Sequence, residues 1–179
     1  HENLNGQGIF EYDEPNIIIF TPGFSDILSK DIDNDGDNDI LTTSLSDGKI
    51  AWFENQDGLG SFNTPKLIKS NADLAFTAFI ADLDGDNDMD VLASSDHRMV
   101  WFKNLDGSGN FGPDIVINSE AYFARNIFVC DLDGDNDNDI VYSVESGNKI
   151  IWHENLDGEG DFGAQQYVVE NEEANIVRS

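Results

Sequence analysis

Three nonapeptides concentrate the chemistry of this chain. They are Asp31-Ile32-Asp33-Asn34-Asp35-Gly36-Asp37-Asn38-Asp39, Asp82-Leu83-Asp84-Gly85-Asp86-Asn87-Asp88-Met89-Asp90 and Asp131-Leu132-Asp133-Gly134-Asp135-Asn136-Asp137-Asn138-Asp139. Each carries carboxylates at positions 1, 3, 5, 7 and 9. Five like charges in nine residues repel one another and require a counter-charge. A hard divalent cation that takes about 6–8 oxygen ligands suits such a loop. Calcium (Ca2+) is the expected ion, one per loop and three in all. Magnesium ranks second because it demands octahedral geometry and keeps its water, and zinc lacks a Cys or His cluster.

Positions 1, 3 and 5 (Asp31, Asp33 and Asp35 in the first loop) match the front half of an EF-hand loop. The next ligand there is the position-7 backbone carbonyl, here that of Asp37, Asp88 or Asp137. Position 6 must then turn with φ > 0, which Gly36, Asn87 and Asn136 tolerate. No Glu stands at position 12, where the residues are Thr42, Ala93 and Tyr142. The closing carboxylate is instead expected at position 9: Asp39, Asp90 and Asp139. The aliphatic residue at position 2 (Ile32, Leu83, Leu132) is expected to point away from the ion and pin the loop to its blade. No amphipathic helices flank the loops, which argues against a helix–loop–helix sensor.

The elements that position these loops repeat. Trp52-Phe53-Glu54-Asn55-Gln56-Asp57-Gly58-Leu59-Gly60-Ser61-Phe62 aligns without gaps with residues 101–111 and 152–162. A fourth copy begins at His1-Glu2-Asn3-Leu4. The Trp positions 52, 101 and 152 and the loop starts 31, 82 and 131 keep one beat near fifty residues, the period of a solenoid, propeller or array unit. Within a period, a β-prone run such as Phe76–Ala81 precedes the acidic loop and one such as Ile140-Val141-Tyr142-Ser143 follows it. A tight turn (Ser46-Asp47-Gly48-Lys49), the Trp strand, the Asp-Gly-x-Gly turn and a fourth strand complete the unit. No window sustains a 3.6-residue period. The predicted class is all-β, built of four-stranded antiparallel propeller blades.

The loops Asp-x-Asp-x-Asp-x-x-x-Asp and the motif Trp-[Phe/His]-x-Asn-[Gln/Leu]-Asp-Gly-x-Gly-x-Phe together resemble the FG-GAP and VCBS repeats of β-propellers. That family includes the propeller of integrin α-subunits. Phe111-Gly112 and Phe162-Gly163 keep the Phe-Gly pair, Phe62 is followed by Asn63, and the Gly-Ala-Pro part is absent. The resemblance implies a calcium loop between the first and second strands of each blade, usually in a secreted or surface protein. The expected division is a partial blade over 1–22, blades over 23–72, 73–121 and 122–172, and the start of another over 173–179. His1 rather than Met opens the chain, and both ends cut through a unit. The expectation is a piece of a longer propeller, with further blades supplied by a parent chain or by a second copy.

Composition narrows the function. The formal charge is -27, from 36 acidic and 9 basic residues. The loops hold 15 of those acids, and three divalent ions would bring the charge to -21. Nucleic acid is excluded as a partner because the cations are few and scattered. No stretch approaches the ~20 apolar residues needed for membrane insertion. Cys130 follows an apolar run and reads as a small buried thiol. Trp52, Trp101 and Trp152 read as packing between blades rather than a sugar platform. The three histidines form no cluster, and the Arg residues read as surface ion-pair partners. The expected function is a calcium-stabilised extracellular module for binding, adhesion or display, with a protein or glycan ligand and no enzyme activity of its own. The alternatives are a structural building block of a surface assembly and a segment of a propeller lectin or enzyme acting on polysaccharide.

Overall fold

The computed structural model describes residues 23–170. The partial units expected over 1–22 and 173–179 lie outside them. Twelve strands occupy the described residues, with no helix among them. The first sheet runs β1 (Phe24–Lys30), β2 (Asp39–Ser44), β3 (Lys49–Phe53) and β4 (Lys66–Lys69), in that order. β5 (Ala78–Ala81), β6 (Asp90–Ser95), β7 (Arg98–Phe102) and β8 (Ile115–Asn118) form the second. β9 (Ala124–Cys130), β10 (Asp139–Val144), β11 (Lys149–His153) and β12 (Gln166–Glu170) form the third. All neighbours are antiparallel, and β3/β4, β7/β8 and β11/β12 share a register shift at the same place. Three meanders of the same strand order and register are β-propeller blades.

The core lies between the sheets, not within any one of them. Successive residues of a strand face opposite sides, and β7 shows the result. Val100 and Phe102 join Ile32, Leu41, Ile50 and Trp52 in the layer between the first two sheets. Met99 and Trp101 join Ile127, Ile140, Tyr142 and Ile151 in the layer between the second and third. β6 and β10 are buried along their whole length, which explains why their sequences are apolar or small with little alternation. Trp52 and Trp101 lie in these layers, and Trp101 meets Phe162 of the next sheet edge-on at 6.1 Å. The packing role expected for them is what the fold uses.

Two expectations need correction. Ile32 and Leu83 are buried, but in the layer each shares with the following sheet. Leu132 is 47% exposed, because no sheet follows the third among the described residues. Cys130 is exposed as the last residue of β9, not buried. Partial burial and the nearby Asp139 and Asp131 carboxylates still push its thiol up, away from the reactive thiolate.

The third sheet differs from the others in one buried polar network. His153 stands where the other sheets have Phe53 and Phe102. Its Nδ1–H donates to the carbonyl of Gly163 (2.9 Å), and Nε2 accepts from the Tyr142 hydroxyl (3.2 Å). That hydroxyl in turn accepts from Asn118 of the second sheet at 2.8 Å. Burial pushes His153 below its ordinary 6.5. The folded chain therefore refuses a proton that the unfolded chain accepts. The associated stability is intact above about pH 6.5 and is lost as pH falls below it. His153→Phe should flatten this acid-side loss, at a cost of about 1 kcal/mol at neutral pH because Gly163 loses its donor. Urea unfolding near pH 7.5 and near pH 5.5 checks this; equal losses on acidification in both proteins would reject it.

Candidate metal centres

Each acidic loop joins the first and second strands of its sheet: 31–38 between β1 and β2, 82–89 between β5 and β6, 131–138 between β9 and β10. The backbone is shaped by two left-handed turns per loop. Gly36, Asn87 and Asn136 have φ of 97°, 70° and 79° at position 6. Position 4 turns the same way, at Asn34, Gly85 and Gly134. Asn and Gly thus exchange places between the first loop and the other two, and both types accept that conformation.

The turns wrap backbone N–H groups around the position-1 carboxylate. Asp82 accepts from Gly85 (2.7 Å) and Asn87 (3.0 Å), and Asp131 from Gly134 (2.7 Å) and Asn136 (3.1 Å). Asp31 accepts from Gly36 at 3.0 Å. At position 5, Asp35, Asp86 and Asp135 each accept the N–H of the residue two further on.

Position 9 closes the loop. Asp39, Asp90 and Asp139 are fully buried. Each uses one oxygen for the N–H at position 2 and the other for the N–H of Asn55, Asn104 or Asn155, at 2.7–3.2 Å. Those asparagines also reach backwards. Asn104 Nδ2 donates to the carbonyl of Ile32, and Asn155 Nδ2 to that of Leu83, both at 3.0 Å. One residue thus ties its own loop to the loop of the preceding sheet. Sequence reasoning passed over these asparagines, although their recurrence in every copy was the signal.

Carboxylate oxygens converge in three trios, each within 4.8 Å: Asp31, Asp33 and Asp39; Asp82, Asp84 and Asp86; Asp131, Asp133 and Asp139. Positions 1 and 3 therefore meet in every loop. Position 5 joins only in the second, and position 9 only in the first and third. The position-7 side chains turn aside: those of Asp37, Asp88 and Asp137 rest against Gly58, Gly107 and Gly158. Their backbone carbonyl is the atom such a residue would offer an ion.

The electrostatics match a missing counter-charge. Burial, then repulsion from Asp39 and Asp35, pushes Asp33 up. Burial and Asp135 do the same to Asp133. Burial pushes Asp90 up to about 7, against the pull of its two N–H donors. Asp31 Oδ1, Asp33 Oδ1 and Asp84 Oδ1 are buried and accept no hydrogen bond. A cation is one partner that such orphaned anionic oxygens could take, and an all-oxygen donor set is compatible with calcium or magnesium.

The second loop holds a group that the others lack. Lys103 places its Nζ on Asp84 Oδ2 and 3.4 Å from Asp86 Oδ2. Its counterparts in the aligned repeats are Glu54 and Glu154.

A family model described as an FG-GAP-like repeat matches residues 31–93 and again 82–142. Together these run over more than half of the chain. No curated protein matches it in sequence. Among solved structures, an Agrocybe aegerita lectin reported for specific recognition of non-reducing terminal N-acetylglucosamine is similar, with a TM-score of 0.58 and 24% identity. The match covers 80% of this chain and 38% of that one, so the present chain spans well under half the length of that lectin. The likeness is one of fold.

Proposed function

Since the chain belongs to the FG-GAP-like repeat family, we propose that it is a calcium-stabilised propeller module for binding and display outside the cell. The orphaned oxygens of Asp31, Asp33 and Asp84 carry this reading, because buried anionic acceptors without donors are costly unless a cation joins them. One calcium ion per loop would be held by Asp31, Asp33, Asp35 and Asp39, with the carbonyl of Asp37. The second set is Asp82, Asp84, Asp86 and Asp90 with the carbonyl of Asp88. The third is Asp131, Asp133, Asp135 and Asp139 with the carbonyl of Asp137. The ion's contribution is electrostatic: it neutralises carboxylates at the junction of the first two strands. The chain's own residues shape the loop and seal it with the position-9 carboxylate.

A surface location fits the affinity of extracellular calcium modules, about 10⁻⁴–10⁻³ M. Among the described residues no helix is long and apolar enough to cross a membrane. The ligand class is protein or glycan, the latter suggested by the lectin of similar fold. The first sheet exposes Leu67 beside Ala51 and Phe53, and the third exposes Leu132, whose counterparts Ile32 and Leu83 are buried against a following sheet; both fit a further blade from the same chain or from a second copy.

Calorimetric melting with calcium and then with excess chelator tests the reading. At ten times its dissociation constant each ion adds about 1.4 kcal/mol, so three loaded loops should raise the melting temperature by about 10 °C. Melting that ignores the chelator would remove the ions' role.

A further inference from the structure

We propose that Lys103 is a built-in counter-ion that makes the second loop the weakest of the three cation sites, so that the loops load in two stages. The inference rests on reading the loops as cation sites.

Three observations carry it. The first is position: Lys103 lies two residues after Trp101, where the other repeats have Glu54 and Glu154. The second is contact. Its ammonium sits on Asp84 Oδ2 and 3.4 Å from Asp86 Oδ2, bridging two carboxylates of the trio. The Asp84 side chain is 3% exposed, and its other oxygen has no partner. The ammonium therefore touches one oxygen of the best-buried acid in the trio and leaves the second one bare. The third is the shape of the trio. In the first and third loops the converging set includes position 9, whereas in the second it includes position 5, Asp86, the acid that Lys103 also faces.

The flanking repeats have the opposite arrangement. Glu54 and Glu154 add negative charge near Asp33 and Asp133. Glu54 turns its carboxylate to Lys66 at 2.8 Å, and Glu154 meets Gln166 at 3.3 Å. Neither presents a cation to its loop. A divalent ion entering the second loop must displace an ammonium from its ligands, while no lysine or arginine pairs with the trios of the other two among the described residues. One unit charge reversed at contact distance in a partly solvated site changes affinity by about tenfold or more.

Among the described residues the middle loop is bonded from both sides. Asn34 of the first loop donates to Asp88 Oδ1 at 3.0 Å, and Asn138 of the third donates to the carbonyl of Asp82 at 2.8 Å. Lys103 would hold this junction together while the outer loops fill. The middle blade then keeps its shape at calcium levels too low to load it.

Isothermal titration of the chelator-stripped chain with calcium chloride tests this, with melting curves recorded for each variant. The wild-type chain should show two sites of similar affinity and a third at least about tenfold weaker. Lys103→Glu should merge all three into one class, and Lys103→Met, which removes the charge and keeps the stem, should strengthen the third site part of the way. Lys69→Glu, on a lysine paired with Asp114 at 3.0 Å away from the loops, should leave the two classes as they are. Three equal sites in the wild-type chain, or a weak site unmoved in both Lys103 variants, would overturn the role of Lys103 alone. No calcium uptake by any variant would overturn the reading of the loops and this inference with it.

Discussion

Replacing Asp90 with alanine is expected to lower the melting temperature by about 10 °C, and calcium should not restore it. Asp90 is fully buried at the start of β6. Its two oxygens accept the N–H of Leu83 at 3.2 Å and of Asn104 at 2.7 Å. The methyl group of alanine satisfies neither. Each buried donor left without a partner costs about 1–3 kcal/mol, so the pair costs about 3–5 kcal/mol. In a domain of this size that corresponds to roughly 10 °C. The loss also unties the loop from its sheet, since Leu83 opens the loop and Asn104 follows the end of β7.

The loss measured in chelator, where no ion is bound, separates this role from ion binding, and a second variant in the same loop serves as control. Asp88 shares the loop, but its side chain rests on Gly107 and accepts from Asn34 at 3.0 Å. Asp88→Ala should cost about 2 °C or less, as expected for one exposed hydrogen bond. Differential scanning calorimetry in chelator and in calcium distinguishes the two variants. Equal shifts for both, or full recovery of Asp90→Ala in calcium, would refute the structural role of position 9.

Gly109→Ala should remove about 3 kcal/mol, the second large effect. Gly109 has φ of 72° and lies directly over the ring of Trp52 in the neighbouring sheet, so an added Cβ would collide with that ring. The collision cannot be relieved cheaply, because Trp52 is itself packed in the layer between the sheets. Overpacking of this kind costs about 1–3 kcal/mol, and the left-handed backbone adds about 1–2 kcal/mol. Gly60 holds the same place in the first repeat, at φ of 93°, with open space where its Cβ would be. Gly60→Ala should therefore lose only the backbone contribution, about 1 kcal/mol. Guanidinium unfolding of both variants checks the difference. Matching losses would show that the ring contact is unimportant. Gly160 repeats the arrangement over Trp101, where an added Cβ would stand 2.6 Å from the ring.

Much of this architecture was legible in the sequence. Copies that align without gaps fix strands and turns in register, and the β-prone runs on either side of each acidic loop announce the two strands it joins. The positive φ at Gly36, Asn87 and Asn136 followed from the ligand spacing alone. What one repeat cannot reveal is its neighbour. Ile32 and Leu83 read as pins for their own blade, yet they fill the layer shared with the next, and Leu132, with no described sheet beside it, is exposed. Cys130 followed an apolar run but ends its strand at the surface. Lys103 was passed over, although it aligns with Glu54 and Glu154, because its contact with Asp84 depends on how the chain beyond β7 lies against the loop. The second left-handed residue, at position 4, was missed because the ligand spacing calls for a turn only before the position-7 carbonyl.

The double attachment of Asn104 and Asn155 redefines what counts as one module. By backbone each belongs to its own sheet, but by side chain it belongs to the acidic loop of the sheet before. The natural cassette is therefore longer than the fifty-residue period and overlaps the next one. Anyone lengthening or shortening this array by splicing would need to carry a loop together with the following Trp-x-x-Asn strand. A cut placed at the apparent repeat boundary would sever the stitch while leaving every strand intact.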